Sequence, residues 1–205
     1  MPKVSFYKER VYPVLFMLLI TVVFISIISG IYLSTQSLVE ENETIFLKKA
    51  VLFSAGLEVP QDNSEINQVY AENVTEYAVE GKPTVFTIKN GDSGGESFAF
   101  RITGPGLWGE IEALIGYDGE MRNLTGLDFI KQNETPGLGA RIEEEWFKTQ
   151  FRGKSPPFSL VQEDTENTAP DEINAITGAT YTSNYVRDMV NDSSERAAAL
   201  LEEVR

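Results

Sequence analysis

The sequence predicts an α+β domain, a mainly antiparallel sheet flanked by helices, preceded by one transmembrane helix. Three observations lead there. Residues Val11 to Leu33 form an apolar run of 23 residues without a charge. Several short runs farther on alternate apolar and polar residues, with no regular strand–helix–strand repeat. Helical spacing then returns towards the C-terminus.

The apolar run comes first. At about 1.5 Å per residue it exceeds a hydrocarbon core of roughly 30 Å. It is also too long for the apolar part of a cleaved signal peptide, and no A-x-A site follows it, so an uncleaved anchor is expected. Lys3, Lys8 and Arg10 precede the run, while Glu40, Glu41 and Glu43 follow it. The positive-inside rule then leaves residues 1–10 in the cytoplasm and everything after Leu33 outside it. That outer part carries 14 basic and 30 acidic residues, a net charge of -16.

Residues 34–56 read as helix, with Gly56 as a stop, and 58–80 keep weak helical spacing at Ile66, Val69 and Tyr70. Residues 34–82 thus form a helical connecting region, and 83–205 the folded domain. Strands are expected over 84–88 and 97–102, separated by a turn at Asn90 to Gly95. A glycine-rich loop covers Gly104 to Gly109. Ile111 to Tyr117 and Leu124 to Lys131 form a hairpin turning at Asp118-Gly119. Arg141 to Phe151 is helical and ends at Gly153, and Ser155 to Pro170 is irregular. Asn184 to Arg205 is helical, in one piece or two, since Asp192-Ser193-Ser194-Glu195 has the form of a capping box.

Composition removes many functions. The chain has no Cys and no His. That excludes thiolate nucleophiles, Cys-ligated iron–sulfur clusters, His-dependent triads and zinc sites of the Cys/His kind. A net charge of -14, with no Lys/Arg cluster to offset it, speaks against nucleic acid as a partner. A covalent cofactor would need a hydroxyl, an amine or a carboxylate.

Two segments could carry chemistry. In Asn174 to Ser183, small residues surround Gly178, hydroxyls follow, and a helix begins. Gly178 and Ala179 would let a bulky group approach the backbone, Thr182 or Ser183 could cap the helix, and free N–H groups there favour an anion. Taken alone, a plain turn and cap explains this stretch at least as well. In Glu134-Thr135-Pro136-Gly137-Leu138-Gly139, Pro136 and two glycines fix an irregular loop, which is by itself equally a structural connection.

Together, in this order and separation, the two segments resemble the RnfG/NqrC family, FMN-binding subunits of ion-translocating electron-transport complexes. The loop at Gly106-Leu107-Trp108-Gly109 and the Gly153-Lys154 pair also fit, and the likeness covers roughly residues 96–190 and the anchor. The resemblance implies FMN as the cofactor of residues 83–205. It implies a phosphoester to Thr180, the last hydroxyl of Thr177-Gly178-Ala179-Thr180, formed by a flavin transferase. Glu134 and Thr135 would hydrogen-bond the flavin, with Leu138, Gly139 and Trp108 at its ring. No catalytic residue and no metal is implied. Asn174 stands where the family usually has Asp, and Gln132 and Asn133 where it often has His.

The implied role is an electron-transfer subunit beside other membrane subunits, of the Rnf type in the ferredoxin:NAD class. A short chain favours that type. The tryptophan at 108 leans towards an NqrC-type subunit of a Na+-translocating NADH:quinone reductase. A stand-alone extracytoplasmic flavin reductase is a further alternative, and a tethered adaptor without cofactor another.

Overall fold

The computed structural model describes residues 7–78, 83–90, 95–166 and 169–204. Lys3 and most of the turn expected at 90–95 lie outside them. The chain divides into two units, Met1–Thr44 and Ile45–Arg205.

The first unit is helical, a short π-helical turn at Tyr7–Val11 followed by helix α1, Tyr12–Ser54, whose last ten residues belong to the second unit. Among the described residues one helix is long and apolar enough to cross a membrane. Two of its hydroxyls fold back on the backbone: Thr21 donates to the Met17 carbonyl at 2.8 Å and Ser26 to the Val22 carbonyl at 2.7 Å. This removes the donors that a hydrocarbon surrounding could not satisfy.

In the second unit, helix α2 is Asn63–Asn73, capped by Asp62, whose carboxylate accepts from the Ser64 amide at 2.8 Å. Strands β1 (Val74–Tyr77), β2 (Val85–Asn90), β3 (Gly95–Pro105), β4 (Glu110–Tyr117) and β5 (Leu124–Lys131) form one antiparallel sheet in chain order. The stretch expected as a connector therefore supplies an edge strand and part of the core. The strands expected at 84–88 and 97–102 and the hairpin at Asp118-Gly119 are all present.

Both faces of the sheet are covered, so residues 97–100 of β3 and 113–117 of β4 are buried in unbroken runs. Phe98 and Phe100 of β3 and Ala113 and Ile115 of β4 join a core with Phe147, Phe151, Val186 and Val190. The alternate residues Ala99 and Leu114 join Ala50, Val51 and Ala55 from the end of α1. Tyr117 reaches Ser193 through its hydroxyl at 2.8 Å, and burial pushes its phenol up to about 12.

The last turn of α1 rests on the backbone of β4 and β5. A Cβ at Gly116 would lie 1.9 Å from the Ser54 carbonyl oxygen, and one at Gly126 2.7 Å from that of Phe53. Thr125 donates its hydroxyl to the same Ser54 oxygen at 2.7 Å. The Phe53 ring lies between the Lys148 ammonium at 4.5 Å and the Arg152 guanidinium at 4.2 Å.

Three expectations are corrected. Arg141 to Phe151 is not one helix: a 3-10 turn, Gly139–Glu143, is separated from α3, Glu145–Thr149, by Glu144 in extended geometry, φ -65° and ψ 141°. The stretch 155–170 is not wholly irregular, because β6, Ser159–Val161, pairs in parallel with β7, Glu172–Asn174. Helix α4 runs unbroken from Thr180 to Val204. The Ser193 and Ser194 hydroxyls bond back to the carbonyls of Val190 and Asn191 at 2.8 and 2.7 Å, so no capping box forms.

Gly116→Ala should destabilise the protein by about 1–3 kcal/mol, the usual cost of overpacking, while Gly95→Ala, which meets no heavy atom within 4 Å, should not. Thermal unfolding of the detergent-solubilised chain checks this. Equal midpoints for the two variants would contradict the contact.

Candidate functional site

The site grows around one carboxylate. Glu134 follows β5 and is only 5% exposed. Its Oε1 accepts from the backbone N–H groups of Leu107 and Trp108 at 2.8 and 3.1 Å. Its Oε2 accepts from the Thr182 hydroxyl at 2.5 Å. The Glu134 N–H donates to the Gln132 side-chain oxygen at 2.5 Å. A buried charge is tolerated only with such donors around it. Here they come from the β3–β4 loop and from α4, so one side chain joins three segments that are distant in sequence.

Two glycines are needed for that approach. A Cβ at Gly106 would stand 2.7 Å from Glu134 Oε1, and one at Gly139 2.7 Å from both Glu134 Oε2 and Thr182 Oγ1. Gly106 also closes a tight loop by donating its N–H to the Gly109 carbonyl at 2.7 Å. The Thr135 carbonyl accepts from Leu138 and Ala140 at 3.1 Å each, which folds the loop over Pro136 and Gly137. The Thr135 side chain is exposed.

The Thr177–Thr180 turn lies against this loop. Gly178 has φ +79°, a conformation that suits glycine, and a Cβ there would meet Leu138 Cδ2 at 3.1 Å. The turn is held from its other side. Glu163 Oε2 accepts from the Thr177 N–H at 2.6 Å, and Glu163 takes a forked pair from Arg141, Nη2 to Oε1 at 2.7 Å and Nη1 to Oε2 at 3.3 Å. These bonds hold the Glu163 carboxyl down at about 2. An open groove of about 370 Å³ runs beside the turn, lined by Leu160, Glu163, Ile176, Thr177, Gly178 and Thr180 among others.

The hydroxyls of the segment differ sharply. Thr182 is committed to Glu134. Ser183 accepts from the Ile176 N–H at 3.0 Å and donates to the Ala179 carbonyl at 3.1 Å. Both are buried in the first turn of α4, so neither is the expected helix cap. Thr177 is exposed and is tied to Glu163 through its N–H. Thr180 is exposed, opens α4, and makes no side-chain hydrogen bond among the described residues. Apolar side chains on the segments that Glu134 and Gly178 bring together stand in solvent: Trp108 is 68% exposed, Tyr181 71%, Leu107 46% and Leu138 44%. An exposed apolar surface rimmed by polar groups marks a binding site. It fits a flat aromatic ring beside a phosphate, since the first N–H groups of α4 are those a helix leaves unpaired.

The structure brings the expected Thr180, Thr177, Gly178, Ala179, Glu134, Leu138, Gly139 and Trp108 into one locality. The Glu134 carboxylate points inward to amides and a hydroxyl rather than out to solvent. Asn174 accepts from the Thr165 N–H through its side-chain oxygen at 3.1 Å, so it fastens the loop before the turn. Sequence reasoning missed Glu163 and Arg141. No local pattern marks them, because their partners lie 14 and 22 residues away.

Residues 106–195 match the family described as FMN-binding domain. The chain is 39% identical over 123 residues to the G subunit of the Na+-translocating ferredoxin:NAD+ oxidoreductase complex of Acetobacterium woodii, covering 58% of each chain. It is 27% identical over 198 residues to the G subunit of the ion-translocating oxidoreductase complex of Methanosarcina acetivorans, covering 94% of this chain and 96% of that one. In structure it resembles the C subunit of the Na+-translocating NADH-quinone reductase of Parabacteroides distasonis, with TM-score 0.66 and 26% identity over 80% of this chain and 96% of that one. The Methanosarcina protein apart, the chain spans about half the length of the curated relatives it matches.

Glu134→Ala should free the Leu107–Trp108 loop and cost about 1–3 kcal/mol for donors left buried and unpaired. Chemical denaturation with tryptophan fluorescence reads both effects, and an unchanged midpoint would contradict the bracket. A pH dependence follows from Glu163, whose carboxyl lies below its ordinary 4.5 when folded. A lowered value stabilises above the unfolded value and is lost as pH falls through the folded one. The stability difference between the wild type and Glu163→Gln should therefore be full above pH 4.5 and shrink towards pH 2.

Proposed function

Because the chain belongs to the RnfG/NqrC family and has FMN as its cofactor, we propose that it is an electron-transfer subunit of an ion-translocating membrane complex, with the flavin phosphate esterified to Thr180. One observation carries the attachment. Of the four aliphatic hydroxyls at Thr177, Thr180, Thr182 and Ser183, those of Thr182 and Ser183 are buried and committed, and of the two exposed threonines Thr177 is tied to Glu163 through its N–H while Thr180 stands at the start of α4.

FMN supplies reversible electron acceptance, which no side chain of a domain without Cys and His offers. The chain's own residues hold and surround it. Thr180 fixes the phosphate at the start of α4, where unpaired N–H groups favour an anion. Leu138, Trp108, Leu107 and Tyr181 offer apolar surface to the ring, and Gly178 lets Leu138 and the turn approach each other. Glu134 acts through its neighbours: it holds the Leu107–Trp108 loop and α4 in register, and Gly139 leaves room for it. Thr135 and Gly137 shape the loop from which Leu138 projects. The ester leaves the ring chemically unaltered, so its potential is set by these surroundings.

Residues 11–33 anchor the chain, with the N-terminus in the cytoplasm and residues 83–205 carrying the flavin outside it. A flavin transferase matures the chain, and the other membrane proteins of the complex are its electron partners. The Acetobacterium relative, by its name part of a ferredoxin:NAD+ oxidoreductase, supports the Rnf type. The structural likeness to a component of an NADH-quinone reductase supports the alternative. Co-purified partners distinguish the two.

Coexpressed with a flavin transferase, the chain should give a fluorescent band after denaturing electrophoresis, and Thr180→Ala should lose it. A band retained in that variant would move the attachment elsewhere, with the exposed Tyr181 phenol the first to test.

A further inference from the structure

We propose that Glu163, held by Arg141, is a positioning residue for flavin attachment: it presents Thr180 as the acceptor by immobilising Thr177 across the intervening pair Gly178-Ala179. The inference rests on the attachment proposed above and adds the device that positions the hydroxyl.

The geometry is specific. Glu163 follows β6 and reaches across to the turn, where its Oε2 takes the Thr177 N–H at 2.6 Å. Arg141 grips Glu163 by a fork at 2.7 and 3.3 Å and is itself held over the Trp146 ring at 5.4 Å. Arg141 belongs to the 3-10 turn that directly follows Leu138, and its N–H donates to the Leu138 carbonyl at 3.1 Å. The latch thus ties the turn bearing Thr180 to the loop bearing Leu138. Charge-assisted, forked pairs fix orientation more strongly than neutral bonds. The Arg141 guanidinium and the Thr177 N–H hold the Glu163 carboxyl below its ordinary range, so it stays ionised near neutral pH.

Two consequences follow. With its N–H held by Glu163, Thr177 is fixed in place three residues before Thr180. Gly178 is held in its left-handed conformation, so that α4 begins at Thr180. Attachment needs an activated donor, a phosphoanhydride of FMN. The Thr180 oxygen–phosphorus bond forms, the anhydride bond breaks, the second phosphate departs with its substituent, and the threonine proton passes to the transferase. No electron is gained or lost. A nucleophile already held in place reacts faster because less orientation is lost on the way to the transition state.

The test uses the full chain in detergent with a flavin transferase and its flavin donor, and follows transfer by intact mass. Glu163→Ala and Arg141→Ala should each slow transfer about tenfold, the size of a lost charge-assisted hydrogen bond, and the double variant should be no slower than Glu163→Ala. Glu163→Gln, which still accepts from the Thr177 N–H, should recover part of the rate. Amide hydrogen exchange over residues 174–182 should accelerate in Glu163→Ala while the melting temperature of the domain stays within a few degrees. Transfer at the wild-type rate in Glu163→Ala would overturn the proposal, as would unchanged exchange. A wild-type chain that takes no flavin defeats the attachment itself, and the exchange measurement then still decides whether the latch exists.

Discussion

The buried carboxylate of Glu134 is the interaction on which the site depends. It accepts from two amides of the β3–β4 loop and from one hydroxyl of α4, partners 27, 26 and 48 residues away in the chain. A carboxylate with so little exposure is tolerable only when such donors surround it, and removing it would leave them without partners. The glycines at 106 and 139 follow from it, because a methyl group at either would press on its oxygens. The exposed apolar side chains of Leu107, Trp108, Leu138 and Tyr181 share one locality because the segments bearing them are tied through this group or through its neighbours.

The functional logic then rests on which polar groups are already engaged. In the segment 177–183 the fold occupies the Thr182 and Ser183 hydroxyls, ties Thr177 through its N–H, and leaves Thr180 exposed at the start of a 25-residue helix. Two carboxylates share the work from opposite sides: Glu134 from within, Glu163 from the rim with Arg141 as its counter-ion. Glu134 follows β5 of a sheet covered on both faces, and Glu163 follows β6 of the short parallel pair.

Much of this was legible in the sequence. The apolar helix, strands β2 to β5 and the hairpin at Asp118 were marked by period and turn residues. The two candidate segments stood out by their glycines and hydroxyls, but each alone reads as a plain turn or loop, and only together did they point to a family. What escaped was non-local. Strands β6 and β7 have three residues each and gain their order by pairing with each other, so neither shows a period. Glu163 looks like any loop carboxylate until Arg141 is brought beside it. The serines at 193 and 194 suggested a cap, but Ser193 is buried against Tyr117 within a helix packed along its length, and packing overrode the local preference.

The most direct measurement is a peptide map, by tandem mass spectrometry, of the chain purified from its own membranes. The account predicts that the peptide containing Thr180 carries the mass of a flavin phosphate, and that fragmentation localises it to that oxygen. The same peptide found bare, or the flavin found on Thr177 or Tyr181, would contradict it.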